Sequence, residues 1–242
     1  MSLRLYEGLA NAWIYYLIGG LLLALFIAFL VFFFIHRANA VKFFKHKVWK
    51  TLYRLAQNED WYLLNDVVIK TEEESLHMSH LLVGSKFVYV ISSRYYEADL
   101  AGESYVSRKW HVVDKNGVTL REVSNPVLFN ERRTMVLAKF LGWNNTKTPM
   151  FISIVVINDS SAMHIKDNGN ISSYSFIVHR KDLTKLIRRT EKEYKFPPFD
   201  QNTLDKMIPR LHRLSEETKE EEERKNEYAR RRKEERKDEQ QQ

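Results

Sequence analysis

The chain of 242 residues contains no cysteine. That excludes structural disulfides, thiolate zinc sites and a cysteine nucleophile, and it agrees with a reducing compartment. Glycine and proline are scarce, at 8 and 5 residues. The glycines form no phosphate-cradling loop. There is no internal repeat. No Ser-His-Asp constellation can be argued from spacing, because triads are recognised by geometry.

What is present is segregated along the chain. Hydrophobic residues make up 44% and charged residues 29%, with a net charge of +7. A basic excess suits an anionic partner, whether nucleic acid, lipid head groups or an acidic protein. A solvated basic surface is the plainer alternative. Residues 12–35, AWIYYLIGGLLLALFIAFLVFFFI, carry no charge. The run exceeds the roughly 20 residues that cross a bilayer's hydrocarbon core. Trp13, Tyr15 and Tyr16 sit at one end, and amphipathic rings favour the membrane interface. Phe32-Phe33-Phe34-Ile35-His36-Arg37 has no small-residue cleavage site, so a retained transmembrane helix is expected rather than a signal peptide. Arg4 beside Glu7 precedes the run, while Arg37, Lys42, Lys45, Lys47, Lys50 and Arg54 follow it. The positive-inside rule then predicts a single-pass cell-membrane protein, with residues 1–11 outside and the rest cytoplasmic. The basic cluster either holds anionic lipid as well or serves as a topology signal alone.

The folded part is expected over 36–195. Val41, Phe44, Val48, Leu52 and Leu55 recur at helical spacing and predict a helix over 38–55. Asn58-Glu59-Asp60 ends it. Short runs rich in Val, Ile, Leu and aromatics predict strands at Trp61–Ile69, His80–Val83 and Phe87–Ile91, with Gly84-Ser85 as a turn. Trp110–Val113 and Val118–Glu122 flank Lys115-Asn116-Gly117, a hairpin signal. Ser124-Asn125-Pro126 starts a helix whose buried stripe runs from Val127 to Leu141. Met150–Ile157 is almost wholly apolar, as a central strand covered on both faces would be. Tyr174–Val178 reads as a strand and Lys181–Tyr194 as a helix. Glu72-Glu73-Glu74, Asn144-Asn145-Thr146 and Asp167-Asn168-Gly169-Asn170 read as loops or turns. Together these elements predict a mixed-sheet α/β domain. Residues 196–214 form a proline-containing link and a short amphipathic helix that Pro209 kinks or breaks. Residues 215–242 are acidic and then basic, with opposite charges at helical spacing, and form a charged helix or a disordered tail.

WYLLNDVVI, SHLLVG, FVYVIS, Gly102 and SNPVLFN follow one another in order. This succession resembles the NERD, or nuclease-related, domain family. The resemblance implies the PD-(D/E)XK, restriction-endonuclease-like fold. The family commonly shows a Gly-Glu on its first helix, an Ile-Asp-His before a strand, a Glu-Thr-Lys ending the next, and an Asn-Pro followed by Gln. By the resemblance those positions hold Phe44-Lys45, Ser79 within Met78-Ser79-His80, Ser92 and Arg94, and Phe129. Asn65, Asp66, His80, Gly102, Asn125 and Pro126 match the family's scaffold.

These departures decide what chemistry to expect. A hard cation needs oxygen ligands, usually carboxylates, to polarise phosphate and activate water. A serine hydroxyl is a weak neutral ligand, and Lys45 or Arg94 would repel the ion. Arginine keeps its proton near neutral pH and cannot replace a lysine that deprotonates water. An inactive member of the fold is therefore expected, without metal or other cofactor. It would bind nucleic acid or an acidic partner through Lys45, Lys86 and Arg94, with Ser92, Ser93 and Tyr95 at the rim. Alternatively, Asp66, Glu97 and Asp99 rebuild a relocated Mg²⁺ or Mn²⁺ nuclease site. His77 and His80 have a spacing that could bind metal, although no third histidine is near in sequence. A purely structural role, with the charged tail as docking element, is a third possibility.

Overall fold

The computed structural model describes residues 17–18, 20–30, 39–70, 75–143, 150–167 and 174–239. The chain divides into two compact units, Met1–Phe43 and Phe44–Gln242. In order, its elements are α1 (Ala40–Glu59), β1 (Tyr62–Lys70), β2 (Ser75–Val83), β3 (Val88–Arg94), β4 (Asp99–Ser104), β5 (Lys109–Val113), β6 (Thr119–Ser124) and α2 (Pro126–Phe140). There follow β7 (Phe151–Ile157), β8 (Met163–Asp167), β9 (Ser175–His179), a 3-10 turn at Arg180–Asp182, α3 (Leu183–Glu193) and α4 (Gln201–Glu239).

The larger unit is built on a five-stranded mixed sheet of order β1-β2-β3-β7-β9. The β2–β3 hairpin is antiparallel, whereas β3, β7 and β9 run parallel. Every residue of β7 is buried, as expected of a parallel strand covered on both faces. On one face lie Phe44, Val48, Leu52, Leu55 and Ala56 of α1, with Leu183, Leu186 and Ile187 of α3. On the other lie Leu137 and Ala138 of α2, with Met207 and Leu211 of α4. Burying each such leucine or phenylalanine stabilises by about 1.5–3 kcal/mol. A second sheet, β6-β5-β4-β8, packs Leu100, Trp110 and Val112 into a third cluster with Val127, Val155 and Ile157.

Local chemistry sets the turns. Gly117 has φ of 80°, and Asp114 Oδ1 accepts from the amides of Asn116 and Val118 at 2.8 Å each. That is the expected Asn-Gly hairpin. At α2, Asn125 Oδ1 accepts from Val127 N at 2.9 Å, and its amide donates to Tyr105 O at 2.6 Å and Ser107 O at 2.8 Å. One side chain thus caps the helix and ties it to the β4–β5 loop.

Several expectations are corrected. Among the described residues no helix is long and apolar enough to cross a membrane. The transmembrane helix expected over 12–35 is therefore not supported, nor is the single-pass cell-membrane placement that rested on it. Residues 1–16 and 31–38 lie outside the described residues, as do the Glu72-Glu73-Glu74 and Asn144-Asn145-Thr146 loops and the Asn168-Gly169-Asn170 turn. β2 starts at Ser75, before the expected His80, and Asp99 opens strand β4. Helix α4 runs through Pro209 without a break. Proline removes one backbone donor, to the carbonyl of Asp205. Met207 and Leu211, on either side of it, are held in the core.

Candidate functional site

The antiparallel β1–β2 pair is irregular at one point. Asn65 pairs with His80 and Val67 with Met78, leaving Asp66 and Ser79 between them. Asp66 has φ of 52°, a left-handed conformation that aspartate tolerates better than most residues. The kink inverts both strands. Leu63 and Leu82 face the α1 side, so alternation would send Val67 and Met78 there too. Both face the α2 side instead. A one-residue slip would exchange the faces of one strand, but here the register is unbroken across the kink and both strands turn over together. They also turn Asp66 and its neighbours toward polar partners.

Those partners form a connected group. Asp66 Oδ1 accepts from Lys45 Nζ at 3.3 Å and lies 3.1 Å from His77 Nε2. The His77 hydrogen bond and the Lys45 ammonium overcome burial and hold the Asp66 carboxyl down at about 2. His80 Nδ1 lies 2.7 Å from Asn65 Oδ1. Because that amide oxygen only accepts, Nδ1 carries the proton. Nε2 is then a buried acceptor, and among the described residues it has no hydrogen-bond partner. Burial pushes His80 down to about 4, with Lys45 and His77 adding to the effect and Asp66 opposing it. The imidazole is neutral at physiological pH.

A second polar region lies where β3 ends. The Phe44 and Tyr95 rings, 6.1 Å apart, set the start of α1 against it. Ser92 is buried and Arg94 half-buried. Asn130 of α2 donates to Val90 O and Ser153 Oγ, both at 2.9 Å, which pins the helix across β3 and β7. Four residues on from Phe129, the Arg133 guanidinium stands 4.3 Å over the Phe129 ring. Its Nε is buried with no hydrogen-bond partner among the described residues. Burial, then the charge of Arg94, pulls the Arg133 pKa down to about 10. Arg94, Tyr95, Arg121, Ser124, Pro126 and Phe129 are among the residues lining an open pocket of about 470 Å³. Arg121 is already engaged with Glu97, through bonds of 2.8 and 3.0 Å. Glu122 lines it too, paired with Lys109, and Arg133 adjoins it through the Phe129 ring that its guanidinium covers.

The three carboxylates proposed for a relocated metal site are held by three separate sets of partners. Asp66 is bound by Lys45 and His77, and Glu97 by Arg121. Asp99 Oδ1 accepts from Ala162 N at 2.8 Å, with His164 3.5 Å from Oδ2. Among the described residues no group of three or more His, Cys, Asp or Glu side chains could hold a metal ion. Lys86 does not join Lys45 and Arg94. It precedes β3, roughly 26 Å along the strand from Arg94 at 3.3 Å per residue, and its Nζ donates to Tyr194 O at 2.9 Å. Arg133 was missed by sequence reasoning. Its i,i+4 spacing from Phe129, in a helix with a defined start, was the signal available.

Residues 42–158 match the NERD family, the nuclease-related domain. The resemblance seen in the sequence is thereby met. No curated protein matches. Among solved structures the chain is similar to the crystal structure of a protein of unknown function, AF1548, at 7% identity and a TM-score of 0.30. The similarity covers 58% of this chain and 54% of that one, about half its length, and carries no argument about function.

Within the NERD segment, the positions that the resemblance assigns to metal chemistry are Ser79, Ser92 and Arg94. Ser79 and Ser92 are both buried, at 7% and 3% exposure. Two hydroxyls and a guanidinium do not fit a divalent cation, which needs anionic oxygen. The carboxylate beside them, Asp66, already neutralises Lys45. The donor set at these positions therefore does not support metal-assisted attack on a phosphate.

Proposed function

We propose that this NERD domain binds nucleic acid through phosphate contacts at the β3–α2 pocket and does not cleave it. The observation that supports this reading is the pair formed by Arg94 and Arg133. Two guanidiniums repel each other at a half-buried site where, among the described residues, no carboxylate offsets Arg133. A phosphate supplies the missing charge, and its oxygens accept from the planar guanidinium in a bidentate manner. Phe129 and Tyr95 give the pocket ring surface beside the charge. Putting Arg94 where the family places a lysine, and serines where it places carboxylates, converts a metal-plus-phosphate cleft into a phosphate cleft.

The test uses the full chain with labelled single-stranded and duplex DNA and RNA. Binding is followed by fluorescence anisotropy between about 50 and 200 mM salt, because phosphate contacts release counterions and make affinity fall with salt. Wild type binds with a negative salt slope. Arg94→Ala weakens binding and reduces the slope by about 0.7–0.9, one phosphate contact. In parallel, the nucleic acids are incubated with Mg²⁺ or Mn²⁺ and with chelator. Metal-dependent cleavage that disappears in Asp66→Ala or Glu97→Ala would overturn the non-cleaving reading. Absence of salt-sensitive binding would overturn the nucleic-acid reading.

A further inference from the structure

The outward side of α1 carries two parallel files of side chains that the pocket does not use. In the first, Trp49 stacks on Tyr53, and His46 leans on Trp49 with its plane tilted by 31°. The His46 and Trp49 centroids are 5.1 Å apart, and those of Trp49 and Tyr53 5.4 Å apart with planes 25° from parallel. Gln57 Nε2 donates to the Tyr53 hydroxyl at 2.8 Å and steadies the end of the stack. The second file is Lys47, Lys50 and Arg54, all exposed. Spacings of three and four place each file along one line of a helix. Both lines lie away from the buried Phe44, Val48, Leu52 and Leu55. None of the three cations is in an ion pair among the described residues. No acidic residue occurs in α1 before Glu59 at its end.

Aromatic rings in water are normally turned inward or covered, and lysines on a helix are normally interleaved with acids. Here a ring stack stands beside an unneutralised cationic line of similar length. The two files answer the two parts of one ligand, because a nucleotide chain carries flat rings on one side and phosphates on the other. Duplex bases are already stacked on each other and present only edges, so an open ring stack can be extended only by unpaired bases. We propose that this face of α1 is a stacking platform for single-stranded nucleic acid. Unpaired bases continue the stack of His46, Trp49 and Tyr53, while Lys47, Lys50 and Arg54 take the phosphates. This deepens the nucleic-acid reading of the pocket and rests on it for the class of ligand. The residues are different, so the two can fail separately.

The experiment uses the full chain with fluorescein-labelled oligo-dT, a duplex of the same length, and vesicles of phosphatidylserine and phosphatidylcholine. Trp49→Ala weakens oligo-dT binding about 5- to 150-fold, the loss of one base stack. It leaves duplex binding and the salt slope unchanged, because the ring carries no charge. Tyr53→Ala, at an exposed position, weakens oligo-dT in the same sense, and Trp49→Phe restores most of the affinity. Lys47→Ala with Lys50→Ala instead lowers the oligo-dT salt slope by about 1.4, two single-strand phosphate contacts. Circular dichroism confirms that each variant keeps its helix content. Unchanged oligo-dT affinity in Trp49→Ala and Tyr53→Ala overturns the platform, as does an equal loss on duplex. Binding of the vesicles in place of oligo-dT overturns it too. The Arg94→Ala protein separates the two readings. If it loses oligo-dT binding while Trp49→Ala keeps it, the pocket stands and the platform falls. The opposite result leaves the platform and removes the pocket.

Discussion

Acidification should unfold this domain largely through one buried histidine. His80 has only 4% of its surface exposed, and its folded pKa is about 4 against the ordinary 6.5. As pH falls below 6.5, the unfolded chain takes up the proton first. The contribution of the neutral imidazole is therefore complete above about 6.5, declines as pH falls, and is fully lost near 4. Through linkage that displacement contributes roughly 3 kcal/mol, most of which is lost by pH 4.5. That is a large share of the 5–15 kcal/mol expected for a domain. Two other groups bear on the same range. Glu191 is held above its ordinary value by burial, so the folded state gains as it is protonated and part of the His80 loss is offset. Asp66 is held near 2 and acts only below about pH 3.8. Its side chain is half exposed, and screening leaves it about 1 kcal/mol or less. Comparison with His80→Asn isolates the effect, because that variant has the same Glu191 and Asp66 but no imidazole. Urea unfolding of both proteins at pH 7.5 and 4.5 should show wild type losing roughly 2–3 kcal/mol more than the variant. Equal losses in the two proteins would refute the assignment of His80 as a neutral, buried acceptor.

Two other perturbations test how the fold holds the site. Asn125→Ala removes the cap on α2 and the donors to Tyr105 O and Ser107 O. Thermal unfolding should show about 2–4 kcal/mol of destabilisation, and Asn125→Asp, which keeps only the cap acceptor, should lose about half of that. At Gly84 an added Cβ would collide with Glu191 Oε1. That carboxylate also holds Lys86 N and the Tyr89 hydroxyl, both at 3.0 Å. Gly84→Ala should cost about 1–3 kcal/mol in urea unfolding, and the loss should be less than additive with Glu191→Ala, which removes the colliding group.

The fold was legible where its cause is local. The Phe44 stripe, the all-apolar β7, the Asn116-Gly117 hairpin and the Asn125-Pro126 helix start each follow from a side-chain period or from one residue's turn chemistry. Strands β4 and β8 were not recognised. Asp99–Ser104 reads DLAGES and Met163–Asp167 reads MHIKD, too short and mixed to show alternation alone. Both are strands because they pair in parallel with each other, with Leu100 opposite Met163. The length of α4 was missed for a similar reason, since Pro209 lowers helix propensity and only docking of Met207 and Leu211 in the core offsets it.

The candidate site divides along the same line. Sequence by itself determined which chemistry was missing, because Ser79, Ser92 and Arg94 cannot become carboxylates in any conformation. It also determined the stripe of rings and cations on α1, since helical spacing alone aligns them. Only the tertiary structure decided what each charge faces. Asp66 meets Lys45 and His77 because the left-handed kink between β1 and β2 turns it there. Glu97 and Asp99 are drawn to different partners, and Lys86 is spent on the carbonyl of Tyr194. Arg133 comes within electrostatic reach of Arg94 because Asn130 fixes α2 across β3 and β7. Period and turn chemistry act over a few bonds and are written into the local sequence. The energy of a charge depends on whichever distant segment folding brings within a few ångströms, and that contact exists only in the folded chain.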